Sequence, residues 1–81
     1  MSRQPVTLPK WGQNMVEGTV TEWLKDVGDT VAEGEDLAEI ETDKVDSVLE
    51  SPHAGTLAEI VVAAGEDAAI GDVLAYIDVD V

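Results

Sequence analysis

Short apolar runs separated by turn residues make up most of this chain. They occupy residues 6–8, 20–24, 37–40, 45–50, 57–62 and 74–77, and valine, leucine and isoleucine dominate them. Short β-branched runs bounded by glycine-containing turns are typical of strands. The pattern therefore predicts an all-β chain, and no segment shows a convincing helical period.

The chain contains an internal repeat. Residues 18–41 (the first copy) align without a gap on residues 55–78 (the second copy) at an offset of 37 positions, and nine of the 24 aligned positions are identical. Composition alone would give about two identities. Each copy starts with Gly-Thr and an apolar run, turns at a Gly-acid pair, and closes with a second glycine turn and another run. The repeat predicts two structurally equivalent halves.

The runs at 6–8 and 45–50 lie outside the aligned copies and add one strand to each half. We expect two small antiparallel sheets packed as a flattened β-barrel or sandwich, with a pseudo-twofold axis between the halves. Trp23 aligns with Ile60 and is predicted to be a core residue. The length of 81 residues predicts a single domain spanning residues 1–81.

Charge and composition exclude several function classes. Acidic residues number 18 against four basic ones, giving a net charge of −14. Nucleic acids and anionic membranes are bound through lysine and arginine, so neither is expected as a partner. The charge favours a monomer and partners with basic surfaces, although an ordinary solvated acidic surface is the alternative. The absence of cysteine excludes disulfides and thiolate chemistry. The N-terminus lacks the apolar core of a signal peptide, so we expect a cytoplasmic protein. We also expect a bacterial one.

The two copies differ most usefully at Lys44. Residues 42–44 separate two strand-like runs, and an aspartate such as Asp43 favours a hairpin connection. At the offset of 37 positions Lys44 aligns with Val81, so the symmetry predicts that the lysine turn and the chain termini lie at opposite ends. We expect Lys44 to be solvent-exposed on this turn. A plain surface lysine without further function is the alternative.

Carboxylates surround Lys44 in the sequence. Glu41, Asp43 and Asp46 all lie within three residues of it and favour the charged ammonium form. A nucleophilic lysine needs a lowered pKa, which this setting does not provide. Acylation of Lys44 would therefore require an enzyme that supplies an activated acyl group.

Other candidate chemistry is weak. His53 is the only histidine, so a zinc site is not expected. Ser47 and Ser51 are present, but nothing in the sequence places either against His53 as a catalytic triad requires. The acidic residues between positions 26 and 36 lack the ligand spacing of a calcium loop.

Residues 34–45, with 50–52, 55–57, 17–20 and Trp23, carry a family resemblance that spans nearly the whole chain. They resemble the lipoyl-attachment region of the acyltransferase component of 2-oxo acid dehydrogenase complexes. The resemblance implies a barrel-sandwich hybrid fold and lipoic acid joined by an amide bond to Lys44. Residues 9–12 are most similar to the acetoin dehydrogenase branch of the family.

The resemblance also implies roles for neighbouring residues. Asp43 and Val45, with Glu41, would help a lipoate-attaching ligase to recognise the turn. Residues 10–15 would form a partner-recognition loop near the lysine, to which Trp11, Gly12 and Asn14 would contribute. An ordinary surface connection with a partly covered Trp11 is the alternative for this loop.

The implied function is that of a non-catalytic carrier, a swinging arm between active sites. A thiamine-diphosphate dehydrogenase would supply an acyl group and two electrons, an acyltransferase would take the acyl group, and a flavoprotein dihydrolipoamide dehydrogenase would reoxidise the dithiol. The cofactor performs the redox chemistry while the protein provides attachment and recognition.

Three alternatives remain at this point. A biotin carrier resembles the same fold, but that family usually has methionine on both sides of its lysine, where this chain has Asp43 and Val45. A glycine-cleavage carrier also bears lipoyl-lysine but is normally longer. An unmodified structural module would have kept the fold and lost the chemistry.

Overall fold

A computed structural model describes residues 2–10, 16–42 and 46–79, which form eight strands. The strands are β1 (Ser2–Thr7), β2 (Glu17–Trp23), β3 (Thr30–Val31), β4 (Asp36–Glu41), β5 (Asp46–Glu50), β6 (Gly55–Ile60), β7 (Asp67–Ala69) and β8 (Val73–Val79). None of the described residues is helical. Within these ranges there is accordingly no helix of the length and apolarity needed to cross a bilayer.

The strands form two antiparallel sheets of four strands each. One sheet has the order β1-β8-β6-β3 and the other has the order β5-β4-β2-β7. The molecule is elongated, with principal extents of 36 × 21 × 18 Å. The predicted all-β architecture of two small antiparallel sheets is confirmed.

The pseudo-twofold symmetry extends to irregularities of the backbone. The two sheets have equivalent strand orders, in which β1 corresponds to β5, β8 to β4, β6 to β2 and β3 to β7. The register slips at Thr21 in β2 and at Ala58 in β6, which are 37 positions apart. Left-handed glycines occur at matched turns in both copies, at Gly28, Gly34, Gly65 and Gly71. The repeat seen in the sequence is therefore a repeat of the fold.

The two halves interlock through reciprocal hydrogen bonds. The Gly28 amide in the first copy donates to the Leu57 carbonyl in the second at 2.7 Å. Its counterpart, the Gly65 amide, donates to the Val20 carbonyl at 2.6 Å. Each copy thus closes a turn against a strand of the other, so neither half completes its hydrogen bonds alone.

The core is one cluster of buried side chains, and every member has a symmetry mate. Five pairs follow the 37-residue offset: Val20/Leu57, Val31/Ala68, Leu37/Leu74, Ala38/Ala75 and Ile40/Ile77. Val6/Leu49 and Leu8/Ser51 pair at an offset of 43 positions. Trp23 packs against this core while half-buried, and its indole Nε1–H donates to the Val62 carbonyl at 2.8 Å. Trp23 therefore joins the two halves at the edge of the core.

Several strands begin or end at other residues than the apolar runs predict. β1 begins at Ser2, ahead of the predicted run at 6–8, because its polar residues alternate along an edge strand that pairs with β8. Leu8 is buried but lies beyond the strand. Leu24 and Val61 lie in the turns after β2 and β6, where they are 41% and 46% exposed. The predicted strand at 45–50 is observed from Asp46, and Val45 lies outside the described residues.

Candidate functional site

Strands β4 and β5 form an antiparallel hairpin on either side of Lys44. Their pairing runs from Asp36 opposite Glu50 to Glu41 opposite Asp46, which leaves residues 42–45 as the connection. Lys44 belongs to this connection and, with Asp43 and Val45, lies outside the described residues. The exposure of Lys44 thus stays a prediction, whereas the paired strands that carry it are part of the structure.

The base of the hairpin is anchored in the core. Ile40 in β4 and Leu49 in β5 are 1% and 3% exposed, and both belong to the core cluster. Gly18 in β2 packs directly beneath the end of β4, where an added Cβ atom would lie 3.6 Å from the Thr42 Cγ2 atom. The four-residue connection is therefore carried by a rigid support and not by a long loop.

Carboxylates crowd the outer face of the sheet that carries this hairpin. Three pairs of exposed acidic residues are direct cross-strand neighbours: Glu41/Asp46, Glu22/Glu39 and Asp36/Glu50. Like charges directly opposite each other repel. The ion pairs formed within the described ranges include none of the six, whereas on the other sheet Arg3 pairs with both Glu59 and Asp78. The hairpin sheet therefore presents negative charge, which attracts basic partners.

An open groove crosses the same face at the base of the hairpin. It is lined by Thr21, Glu39, Ile40, Glu41, Asp46, Ser47 and Val48. Thr21 lies at the β2 bulge, and its hydroxyl donates to the Glu39 carbonyl at 3.0 Å. Val48 is 40% exposed and gives the groove an apolar wall. The groove suits surface recognition rather than enclosure of a substrate.

Lys25, a second lysine of the chain, forms an ion pair with Glu35. Its Nζ atom lies 2.8 Å from the Glu35 Oε2 atom, and the hydrogen bond from Lys25 to Glu35 raises the pKa of the lysine. The same hydrogen bond, joined by one from the Ala32 amide, lowers the pKa of Glu35. A raised pKa leaves less of the neutral amine that acylation requires. Lys25 is therefore a poor competitor for modification.

The segment that precedes β2 is the largest departure from the symmetry. Leu8 corresponds to Ser51 and Gly18 to Gly55, so the first half has six more residues at this connection than the second. The added length coincides with residues 10–15; Trp11, Gly12 and Asn14 fall there and lie outside the described residues. Immediately after this segment, the Val16 carbonyl accepts from the Ile70 amide at 3.1 Å. This attachment point is two residues from Gly18, and hence beside the base of the lysine hairpin.

Neither of the other candidate chemistries assembles among the described residues. The Ser51 hydroxyl is buried and bonds to the backbone of His53, donating to its carbonyl and accepting from its amide, so it does not engage the imidazole. The described ranges contain no cluster of three or more side chains suited to holding a metal ion. The hairpin is the feature on which sequence and structure converge.

Comparison with known proteins agrees with this geometry. The family model for biotin and lipoyl attachment, described as "Biotin-requiring enzyme", matches residues 4–77. The chain is 47% identical over 72 residues to the dihydrolipoyllysine-residue acetyltransferase component of the pyruvate dehydrogenase complex of Corynebacterium glutamicum, covering 89% of this chain and 11% of that protein. It is 40% identical to the corresponding component of the acetoin cleaving system of Pseudomonas putida, covering 89% of this chain and 20% of that protein.

A solved structure matches over almost its full length. The lipoyl domain of the 2-oxoglutarate dehydrogenase complex from Azotobacter vinelandii superimposes with a TM-score of 0.73 at 31% sequence identity, covering 91% of this chain and 94% of that one. The chain therefore belongs to the biotinyl- and lipoyl-attachment family, and within it to the lipoyl domains of acyltransferase components. Such a domain is a carrier and not itself a catalyst. The chain spans 11–20% of the length of the curated relatives just named.

Proposed function

We propose that Lys44 carries lipoic acid as an amide on its Nζ atom and that the domain works as a swinging arm in a 2-oxo acid or acetoin dehydrogenase complex. The observation that carries this proposal is the β4–β5 register, which leaves a four-residue connection containing Lys44 on a buried base. The names of the relatives, dihydrolipoyllysine-residue acyltransferases of pyruvate, acetoin and 2-oxoglutarate systems, support it.

The residues present suit an attached lipoyl group. A primary amine is the nucleophile that an amide bond needs, and Lys44 is a lysine within the short connection between two paired strands. When attached, the lipoyl group supplies acyl and electron carriage. The protein's contribution is positional, because β4 and β5 fix the root of the arm while the side chain of Lys44 extends its reach. Tethering raises the local concentration of the arm at each partner site.

Lys44 does not activate itself. Glu41 and Asp46 face each other at the end of the hairpin, so the connection that contains Lys44 has a carboxylate residue at each end and no cationic neighbour at either. A ligase must therefore bring an activated acyl group and remove the proton. We propose that a lipoate-attaching ligase recognises the turn through Asp43 and Val45, with Glu41 as the adjoining exposed side chain.

The proposed partners beyond the ligase are the thiamine-diphosphate dehydrogenase, the acyltransferase and the dihydrolipoamide dehydrogenase of one complex. The acidic hairpin face would speed encounters with basic surfaces around their active sites, an effect that weakens as salt increases. The loop at residues 10–15, with Trp11, Gly12 and Asn14, is proposed to contribute to their recognition. We further propose a monomeric single domain that functions in the bacterial cytoplasm.

Parallel reactions with two ligases test the choice of cofactor. The chain is incubated with lipoate, ATP and a lipoate ligase, or with biotin, ATP and a biotin ligase, and its intact mass is measured. We expect one lipoyl increment in the first reaction and none in the second. A Lys44→Arg variant, which keeps the positive charge, should stay unmodified in both.

The alternatives give distinct results in the same assay. A biotin increment would assign the chain to the biotin carriers. An unmodified wild-type chain, under conditions in which a known lipoyl domain is fully modified, would support a structural module instead. Either result contradicts the lipoyl proposal.

A further inference from the structure

Gly18 occupies the closest approach between β2 and the end of β4. A Cβ atom built on Gly18 would lie 2.8 Å from the Ile40 Cγ2 atom, 3.5 Å from the Glu41 carbonyl oxygen and 3.6 Å from the Thr42 Cγ2 atom. These neighbours are three consecutive residues, and the last of them, Thr42, begins the connection that contains Lys44. Gly18 is itself buried.

The contact with Ile40 cannot relax easily. The Cγ2 atom of isoleucine is bonded to Cβ, so it moves only if the side chain leaves its χ1 rotamer or the backbone shifts. Ile40 is 1% exposed within the core, which leaves little room for another rotamer. A side chain at position 18 would therefore lift residues 40–42 away from β2.

The symmetry mate of Gly18 makes a different contact. A Cβ atom on Gly55 would lie 2.1 Å from the Asp78 carbonyl oxygen, near the end of the chain. Glycine at this point of each copy thus allows close packing of two strands. In the first copy the packed strand end is the one that supports Lys44.

We infer that Gly18 is a positioning residue for acylation of Lys44. The absence of a side chain at position 18 sets the distance between β2 and residues 40–42, and this distance determines where the ligase meets the lysine. The inference rests on the proposed lipoylation of Lys44. Small displacements of a reacting group carry large kinetic costs, about a hundredfold for roughly 1 Å.

Lipoylation kinetics of a Gly18→Ala variant test the inference. The rate is measured with lipoate ligase over a range of acceptor concentrations, at a temperature well below the melting point of the variant. We expect kcat/KM for the acceptor to fall about tenfold, since the displacement needed is a fraction of 1 Å. The wild-type chain must take one lipoyl group on Lys44 in the same assay; if it does not, the proposed function fails and not the role of Gly18.

Two further variants separate positioning from general loss of stability. Ile77→Val shortens the symmetry mate of Ile40 in the other sheet, so it should lower the melting temperature while leaving lipoylation at the wild-type rate. Ile40→Leu removes the Cγ2 atom that Gly18→Ala would meet, so the double variant should regain a rate within about twofold of that of Ile40→Leu alone.

Three results would overturn the inference. One is wild-type kcat/KM in a folded Gly18→Ala variant. Another is a loss of kcat/KM in Ile77→Val equal to that in Gly18→Ala. The third is a double variant that is folded but no faster than Gly18→Ala.

Discussion

Moving the lysine by one position, in a variant with Lys44→Ala and Val45→Lys, is expected to reduce lipoylation by about a hundredfold or more. A shift of one residue redirects a hairpin side chain, so we expect a lysine at position 45 to point in a different direction from one at position 44. The net charge and the buried base at Ile40 and Leu49 stay as they are. The fold should therefore remain intact, and intact mass after incubation with lipoate ligase reports the loss.

Thermal melting provides the control for this variant, because its midpoint should match that of Lys44→Ala alone. Efficient lipoylation of the shifted lysine would mean that exposure is sufficient and that the ligase does not recognise the position of the side chain.

The second large effect is expected at Gly55, where Gly55→Ala should lower the free energy of unfolding by about 3 kcal/mol or more. The added Cβ atom would lie 2.1 Å from the Asp78 carbonyl oxygen and 3.0 Å from the Ile77 Cγ2 atom. Backbone oxygen cannot swing aside as a side chain can, so β6 and β8 must separate. For a domain of this size the loss corresponds to a melting temperature roughly 10–25 °C lower.

Urea unfolding monitored by tryptophan fluorescence measures this loss, with Thr56→Ala as the matched control. Thr56 is the exposed neighbour of Gly55 on the same strand, and its truncation should change stability by no more than about 0.5 kcal/mol. A Gly55→Ala protein as stable as the wild type would contradict the close packing of β6 against β8.

The fold was largely predictable because the sequence repeats the same pattern of apolar runs and glycine turns in both copies. Gly28, Gly34 and their mates fall at the same points of both copies, and each apolar run contributes at least one side chain to the core. The bulges at Thr21 and Ala58 were not predictable, since no residue type marks them. Pairing between distant strands, such as β3 with β6, was equally hidden, because the sequence of one strand does not specify its register on another.

The longer connection before β2 escaped the sequence comparison for a chemical reason. Its length becomes visible only when Leu8 is matched to Ser51, an aliphatic residue to a polar one. Ser51 can occupy a buried position because its hydroxyl bonds to the backbone of His53. Backbone hydrogen bonds make the equivalence plain, because the Leu8 and Ser51 amides donate to the carbonyls of Asp72 and Glu35, which are 37 positions apart.

The candidate site, like the fold, was predictable only in part from the sequence. The hairpin around Lys44 was predicted from two apolar runs and an aspartate between them, and the observed β4–β5 pairing agrees with it. The opposed acidic pairs on the outer face, such as Glu22/Glu39, required the register and could not be found from the sequence. The role of Gly18 likewise depends on distances between residues that are more than 20 positions apart.

Residue-level mapping of the modification tests the central claim most directly. The chain has three lysines, Lys10, Lys25 and Lys44. After enzymatic lipoylation and proteolysis, tandem mass spectrometry should place the whole lipoyl increment on the side chain of Lys44, the residue that follows Thr42 and Asp43 in its peptide. An increment on Lys10 or Lys25, or one distributed among the three lysines, would contradict a scaffold that presents one lysine to the ligase.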